Sequence, residues 1–122
     1  MPQSVISDLL HKHCKPCEKG APPLEPNEIS EMIGGLHGWE SNGGEIEKTF
    51  KFANFYETIG FVNAVAWIAN QENHHPDMEV GYNRALVRFS THSIGGLSEN
   101  DFICAAKVEN LLGLGEGRKG QG

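Results

Sequence analysis

Three histidines stand out by type and position: His74 and His75 in the run His-His-Pro-Asp, and His92 after a threonine. Neutral imidazole accepts a proton and imidazolium donates one at nearly the same pH, since the ordinary pKa is about 6.5. Two such groups therefore supply both an acid and a base. Elimination of water needs both, one to protonate the departing hydroxyl and one to take a proton from the neighbouring atom. Asp101, in the run Leu-Ser-Glu-Asn-Asp, reads in two ways. It is a fourth member of the site, or it is the acidic third residue of a helix capped by Ser98. His92 taken alone reads equally as a solvated surface histidine. Three histidines with Asp77 or Asp101 also resemble a ligand set for zinc or iron. Successive side chains of an extended chain point to opposite faces, so His74 and His75 do not meet on one ion. The expectation is a metal-free site.

A second group lies near the start, where His11 and His13 precede a Cys-x-x-Cys of Cys14 and Cys17. Four such ligands suit tetrahedral zinc, but ligands this close in sequence strain the loop that must close on the ion. No strand precedes the pair as a thioredoxin-like motif requires. The segment reads as an exposed, polar, peripheral arm.

The histidines need elements to hold them. Pro26 suits a first helical position, and Ile29, Met32, Ile33 and Leu36 form one apolar face that ends at Gly34 and Gly35. Asn42-Gly43 signals a hairpin, because both residue types tolerate positive φ, with Ile46, Phe50 and Phe52 alternating after it. Asn54 and Glu57 form a capping box for a helix with two apolar stripes. One stripe is Phe55, Ile59, Val62, Ala66 and Ala69, assigned to the core. The other is Phe61, Val65 and Ile68, assigned to a subunit interface.

Pro76 ends that helix before His75. A second hairpin then pairs Met78, Val80 and Tyr82 with Ala85, Val87, Phe89 and Thr91. With its turn at Asn83 and Arg84, Asp77 lies opposite Ser90, and His75 and His92 come close at the open end. A last helix starts at Ser98, carries Cys104, Val108 and Leu111, and ends near Gly113. The expected fold is α+β in the order α-β-β-α-β-β-α, a four-stranded antiparallel sheet with helices packed on one face. Residues 1–23 form the arm, 24–112 the domain and 113–122 a glycine-rich flexible tail.

Composition bounds what this domain does. A chain of 122 residues with 39% hydrophobic content builds one core. The net charge of -6, without a lysine and arginine cluster, argues against direct nucleic-acid binding. No apolar run reaches the roughly 20 residues of a membrane span, and the start lacks a basic segment followed by an apolar one. Three cysteines are an odd number for a disulfide framework, so a reducing, cytoplasmic location is expected.

Taken together, His74-His75-Pro76-Asp77, Thr91-His92 and Gly96-Leu97-Ser98 with Asp101 resemble the pterin-4a-carbinolamine dehydratase family, also known as dimerization cofactors of a hepatocyte homeodomain factor. The likeness runs from about Leu24 to Leu112. It implies that His74, His75 and His92 are catalytic, with Asp101 beside them and no metal or cofactor. We assign acid and base work to His74 and His92, and orientation of the substrate to His75. Asp101, Thr91 and Ser93 are candidates for binding the substrate, the last two at its polar edge.

The implied substrate is a 4a-hydroxytetrahydropterin and the product a quinonoid dihydropterin, in recycling of the cofactor used by aromatic amino acid hydroxylases. The implied assembly is a homodimer or homotetramer. Met78 stands where members often carry an aromatic residue that walls the ring. A non-enzymatic dimerization or coactivator module, or an accessory protein of another pterin pathway, is the alternative.

Overall fold

The computed structural model describes residues 8–119, with side chains through residue 112. Its elements are α1 (Pro26–Ile33), β1 (Glu40–Ser41), β2 (Ile46–Lys51), α2 (Phe55–Glu72), β3 (Asp77–Val80), β4 (Arg84–Phe89) and α3 (Glu99–Lys119). Residues 8–10 add a helical turn before α1. The strands pair antiparallel in the order β1-β2-β4-β3. Ile46 and Phe50 of β2, with Ala85, Val87 and Phe89 of β4, are buried under α2 and α3. The other sheet face carries charge, where Arg88 reaches Glu47 and Glu79 at 3.1 Å each. This is the expected α+β sheet with helices on one face.

Local chemistry explains most boundaries. Pro26 opens α1, and Glu28 accepts from the Glu25 backbone N–H at 2.8 Å. The Asn54 side chain accepts from the Glu57 N–H at 2.8 Å, while Glu57 reaches one residue further back, to the Ala53 N–H. The first hairpin turns at Gly43 and Gly44, with φ of 58° and 91°, between Asn42 and Glu45. The pair with positive φ is thus Gly-Gly rather than the expected Asn-Gly, because Asn42 still bonds to Glu45 across the hairpin.

The second hairpin also differs from expectation. Asp77 lies opposite Arg88, not Ser90, so the turn falls at Gly81 to Asn83. The Tyr82 carbonyl accepts from Thr58 Oγ1 at 2.9 Å and the Asn83 carbonyl from the Phe52 N–H at 2.8 Å, and these long-range contacts place the turn. The slip is two residues, so every side chain keeps its face.

The stripe assigned to a subunit interface faces the core, while of the stripe assigned to the core Ala69 is buried, Val62 packs against the core, and Phe55 and Ala66 are exposed. Phe61, Val65 and Ile68 face the core with Thr58, Ala69 and Glu72, and Val65 is fully buried. Phe55, Tyr56 and Trp67 are exposed instead. Helical period alone does not rank two apolar stripes. What decides is that Phe61 packs on Phe50 and Phe52, with ring centroids at 4.7 and 5.0 Å.

α3 continues past Gly113, where its end was expected, to Lys119. No proline interrupts it, and glycine costs a helix only about 1 kcal/mol. The remainder of the expected tail, 120–122, lies outside the described residues. The described part of the arm, from residue 8 onward, is not peripheral either; residues 1–7 lie outside the described residues. Leu9 is buried, the Cys14 N–H donates to Glu72 at 2.7 Å, and Lys107 donates to the Leu10 carbonyl at 3.0 Å.

Candidate active site

The site forms where the end of α2, the end of β4 and the start of α3 converge. α2 stops at Asn73, which caps it in the left-handed conformation with φ 51°. The His74 N–H bonds back to Ala69, and His74 turns inward while His75 stays exposed. Past β4, Thr91 bonds to Gly96 in both directions around a short 3-10 turn, His92–Ile94. Ser98 then caps α3, its hydroxyl accepting from the Asn100 N–H at 3.2 Å.

Asp101 joins these pieces. Its side chain is 0% exposed. His74 Nε2 lies 2.6 Å from Oδ1, Thr91 Oγ1 donates to Oδ2 at 2.8 Å, and the Ser98 backbone N–H donates to Oδ2 at 3.0 Å. Thr91's one hydroxyl proton goes to Asp101, so Ser98 must donate across the 2.7 Å Thr91–Ser98 contact. As a carboxylate Asp101 only accepts, so the proton on His74 Nε2 is fixed and Nδ1 is left to exchange protons. The His74 ring lies nearly parallel to Phe89, at 10° with centroids 6.1 Å apart. Asp101 is at once the third residue of α3 and the partner of His74.

A cavity of about 250 Å³ opens beside this network, lined by Gly43, Gly44, Glu45, Ser90, Thr91, His92, Gly95 and Gly96. Thr91 belongs to both, its hydroxyl in the network and its residue in the wall. A side chain at Gly96 would meet Pro23 at 2.8 Å, so glycine is required for the chain entering the domain to pack behind the cavity.

The expected residues are therefore only partly gathered. His74, Thr91 and Asp101 share one hydrogen-bonded network, and His92 lines the cavity beside it. The paired register ends with Asp77 opposite Arg88, and it is His74, not His75, whose ring lies against Phe89 at the end of β4. Ser93 is exposed outside the cavity, and its hydroxyl reaches the Cys17 carbonyl at 3.5 Å. Asp101 and Thr91, expected to face a substrate, are buried, with the Asp101 oxygens taken up by three protein donors. The sequence reading did not include Ser98 in the site, although its cap position was visible, nor Gly43, Gly44 and Glu45, which a different hairpin brings in.

The four residues of the arm do not converge on one point. His13 Nδ1 lies 3.0 Å from Glu72, while Cys14 Sγ faces Cys104 Sγ at 3.6 Å. Among the described residues no helix is long and apolar enough to cross a membrane.

The family described as pterin 4 alpha carbinolamine dehydratase matches residues 22–111. The chain belongs to that family. A relative from Nitrosospira multiformis is 56% identical over 109 residues, 89% of this chain and 96% of its own length. One from Chromobacterium violaceum is 57% identical over 105 residues, 86% and 96%. Both carry the name pterin-4-alpha-carbinolamine dehydratase in provisional form. A solved structure titled a transcriptional coactivator/pterin dehydratase from Brucella melitensis superposes with a TM-score of 0.70 at 33% identity, covering 72% of this chain and 96% of that one.

Proposed function

We propose that this family member dehydrates 4a-hydroxytetrahydropterin to quinonoid dihydropterin in tetrahydrobiopterin recycling, serving an aromatic amino acid hydroxylase in the cytoplasm as a homo-oligomer. The observation that carries the reading is the buried Asp101 fixing the His74 ring beside a cavity lined by His92. A structural helix cap needs no histidine partner, and a pure dimerization module needs no oriented imidazole.

In this reading the C4a hydroxyl leaves as water after taking a proton from one imidazole, and the N5 proton passes to the other. The donor starts as imidazolium and the acceptor as neutral imidazole, so the net charge is unchanged and the site returns to its starting protonation through solvent. His74 and His92 share these two roles, and exposed His75 orients the pterin. Asp101 and Thr91 act through His74 as positioning residues. Ser93 lies outside the cavity with its hydroxyl on the Cys17 carbonyl, so no substrate contact is assigned to it. No metal or cofactor enters the scheme.

The test is a coupled assay with a hydroxylase that generates the carbinolamine. Purified protein should speed its disappearance without added metal, and a chelator should leave the rate unchanged. No acceleration would overturn the dehydratase reading, and a rate lost on chelation and restored by zinc would replace it with metal catalysis.

A further inference from the structure

The geometry points to Cys14 and Cys104 as a peroxide-sensitive thiol pair that oxidises to a disulfide and staples the N-terminal arm to α3. Their sulfurs lie 3.6 Å apart although the residues are far apart in sequence, and closing to the bonded distance of about 2.05 Å needs only a small approach. The arm is held in register for this. Lys15 makes two backbone contacts to the Asn100 side chain, N–H to Oδ1 at 3.0 Å and Nδ2 to its carbonyl at 2.6 Å. Glu72 takes the Cys14 N–H on the other side. Cys17, the sequence neighbour, is directed elsewhere, its Sγ receiving Asn100 Nδ2 at 3.5 Å.

Access separates the two sulfurs. Cys104 is fully buried, whereas Cys14 borders a cavity of about 120 Å³ shared with Lys15, Pro16, Glu72, Asn73 and Asn100. That volume admits a molecule the size of hydrogen peroxide. Contact with Cys14 and burial both push the Cys104 thiol up, which keeps it protonated until its partner reacts.

The co-reactant is a hydroperoxide. The Cys14 thiolate attacks it, forming an S–O bond and breaking the O–O bond, and the released hydroxide takes up a proton to give water. Cys104 then displaces hydroxide from the Cys14 sulfenic acid, forming the S–S bond, and its own proton leaves with that hydroxide as a second water. Two thiols lose two electrons and the peroxide gains them.

Full-length reduced protein should show three free thiols on denaturation and one after treatment with a few equivalents of hydrogen peroxide, with a mass loss of about 2 Da. Peptide mapping without reductant should find Cys14 joined to Cys104, and a dithiol reductant should restore three. C14S and C104A should each give no intramolecular disulfide, while C17S should oxidise like the wild type. The oxidised form should melt at least about 5 °C higher, because the new bond closes a long loop. A Cys14–Cys17 linkage, an intermolecular one, oxidation of Cys14 without a cross-link, or loss of the disulfide in C17S would each overturn the proposal. The assay reads thiols and mass, so it stands apart from the dehydratase reading.

Discussion

The Thr91 hydroxyl donates to Asp101 at 2.8 Å, and this bond ties the chain just past the central strand β4 to the first turn of α3. His74 hangs from the same carboxylate. One buried acid thus aligns three elements and sets which nitrogen of one histidine is free.

If His74 and His92 exchange protons with substrate, H74A and H92A should each lower kcat by about 100 to 10,000-fold. Pterin binding, measured by titration calorimetry, should change much less. Near wild-type turnover in both variants would remove the acid and base roles.

Asp101→Asn retains size and most of the packing but adds an N–H where three donors already point. It should cost about 1–3 kcal/mol in urea unfolding. Its kcat should fall toward that of H74A with the pH profile altered, because the amide no longer holds the same tautomer. A stability loss with an unchanged pH profile would reduce Asp101 to a helix cap.

Glu72 predicts an acid-sensitive arm. Burial on its own would raise its pKa, but the Cys14 N–H, His13 and Lys107 outweigh burial and hold it below the ordinary 4.5. A depressed folded value means that its contribution is fully present above the unfolded pKa. It is lost as pH falls through the lower folded value. Wild type should therefore exceed E72Q in urea midpoint at pH 7, and the gap should close in the acid range below pH 4.5. A gap that persists at pH 2 would show that charge is not its source.

Because Val65 is fully buried against the sheet, V65D should unfold the domain, at about 4 kcal/mol or more, and not simply release subunits. If the protein assembles as proposed, the exposed aromatics Phe55, Tyr56 and Trp67 of α2 are the surface to test, so W67D should lower the mass in light scattering while leaving the melting temperature of the isolated subunit nearly unchanged. A monomeric wild type at micromolar concentration would defeat the expected oligomer.

The elements were legible because their signals are local. Pro26, Asn54, Pro76 and Ser98 each mark a boundary by their own backbone chemistry, and alternation in 85–91 marks β4. Registers and faces were not, because they depend on partners far along the chain. Thr58 and Phe52 fix the second turn, and Phe50 chooses between the stripes of α2. The histidines and Asp101 were visible by type, but the burial of Asp101 was not. Its two roles, helix cap and histidine partner, use the same residue and differ only in what α2 brings beside it. The arm was misread for the same reason, since its polar sequence hides that its contacts are with Glu72, Asn100 and Cys104.

The contrast between the two tryptophans gives the chain a pair of optical reporters. Trp39 is 5% exposed and donates its indole N–H to Glu109 at 2.9 Å, so its emission should be blue-shifted and follow global unfolding. Trp67 is 65% exposed, so its emission should be red, open to quenching by iodide, and sensitive to whatever covers α2. With either replaced by phenylalanine, unlabelled protein reports on core order or surface association separately, in one cuvette and at the same concentrations.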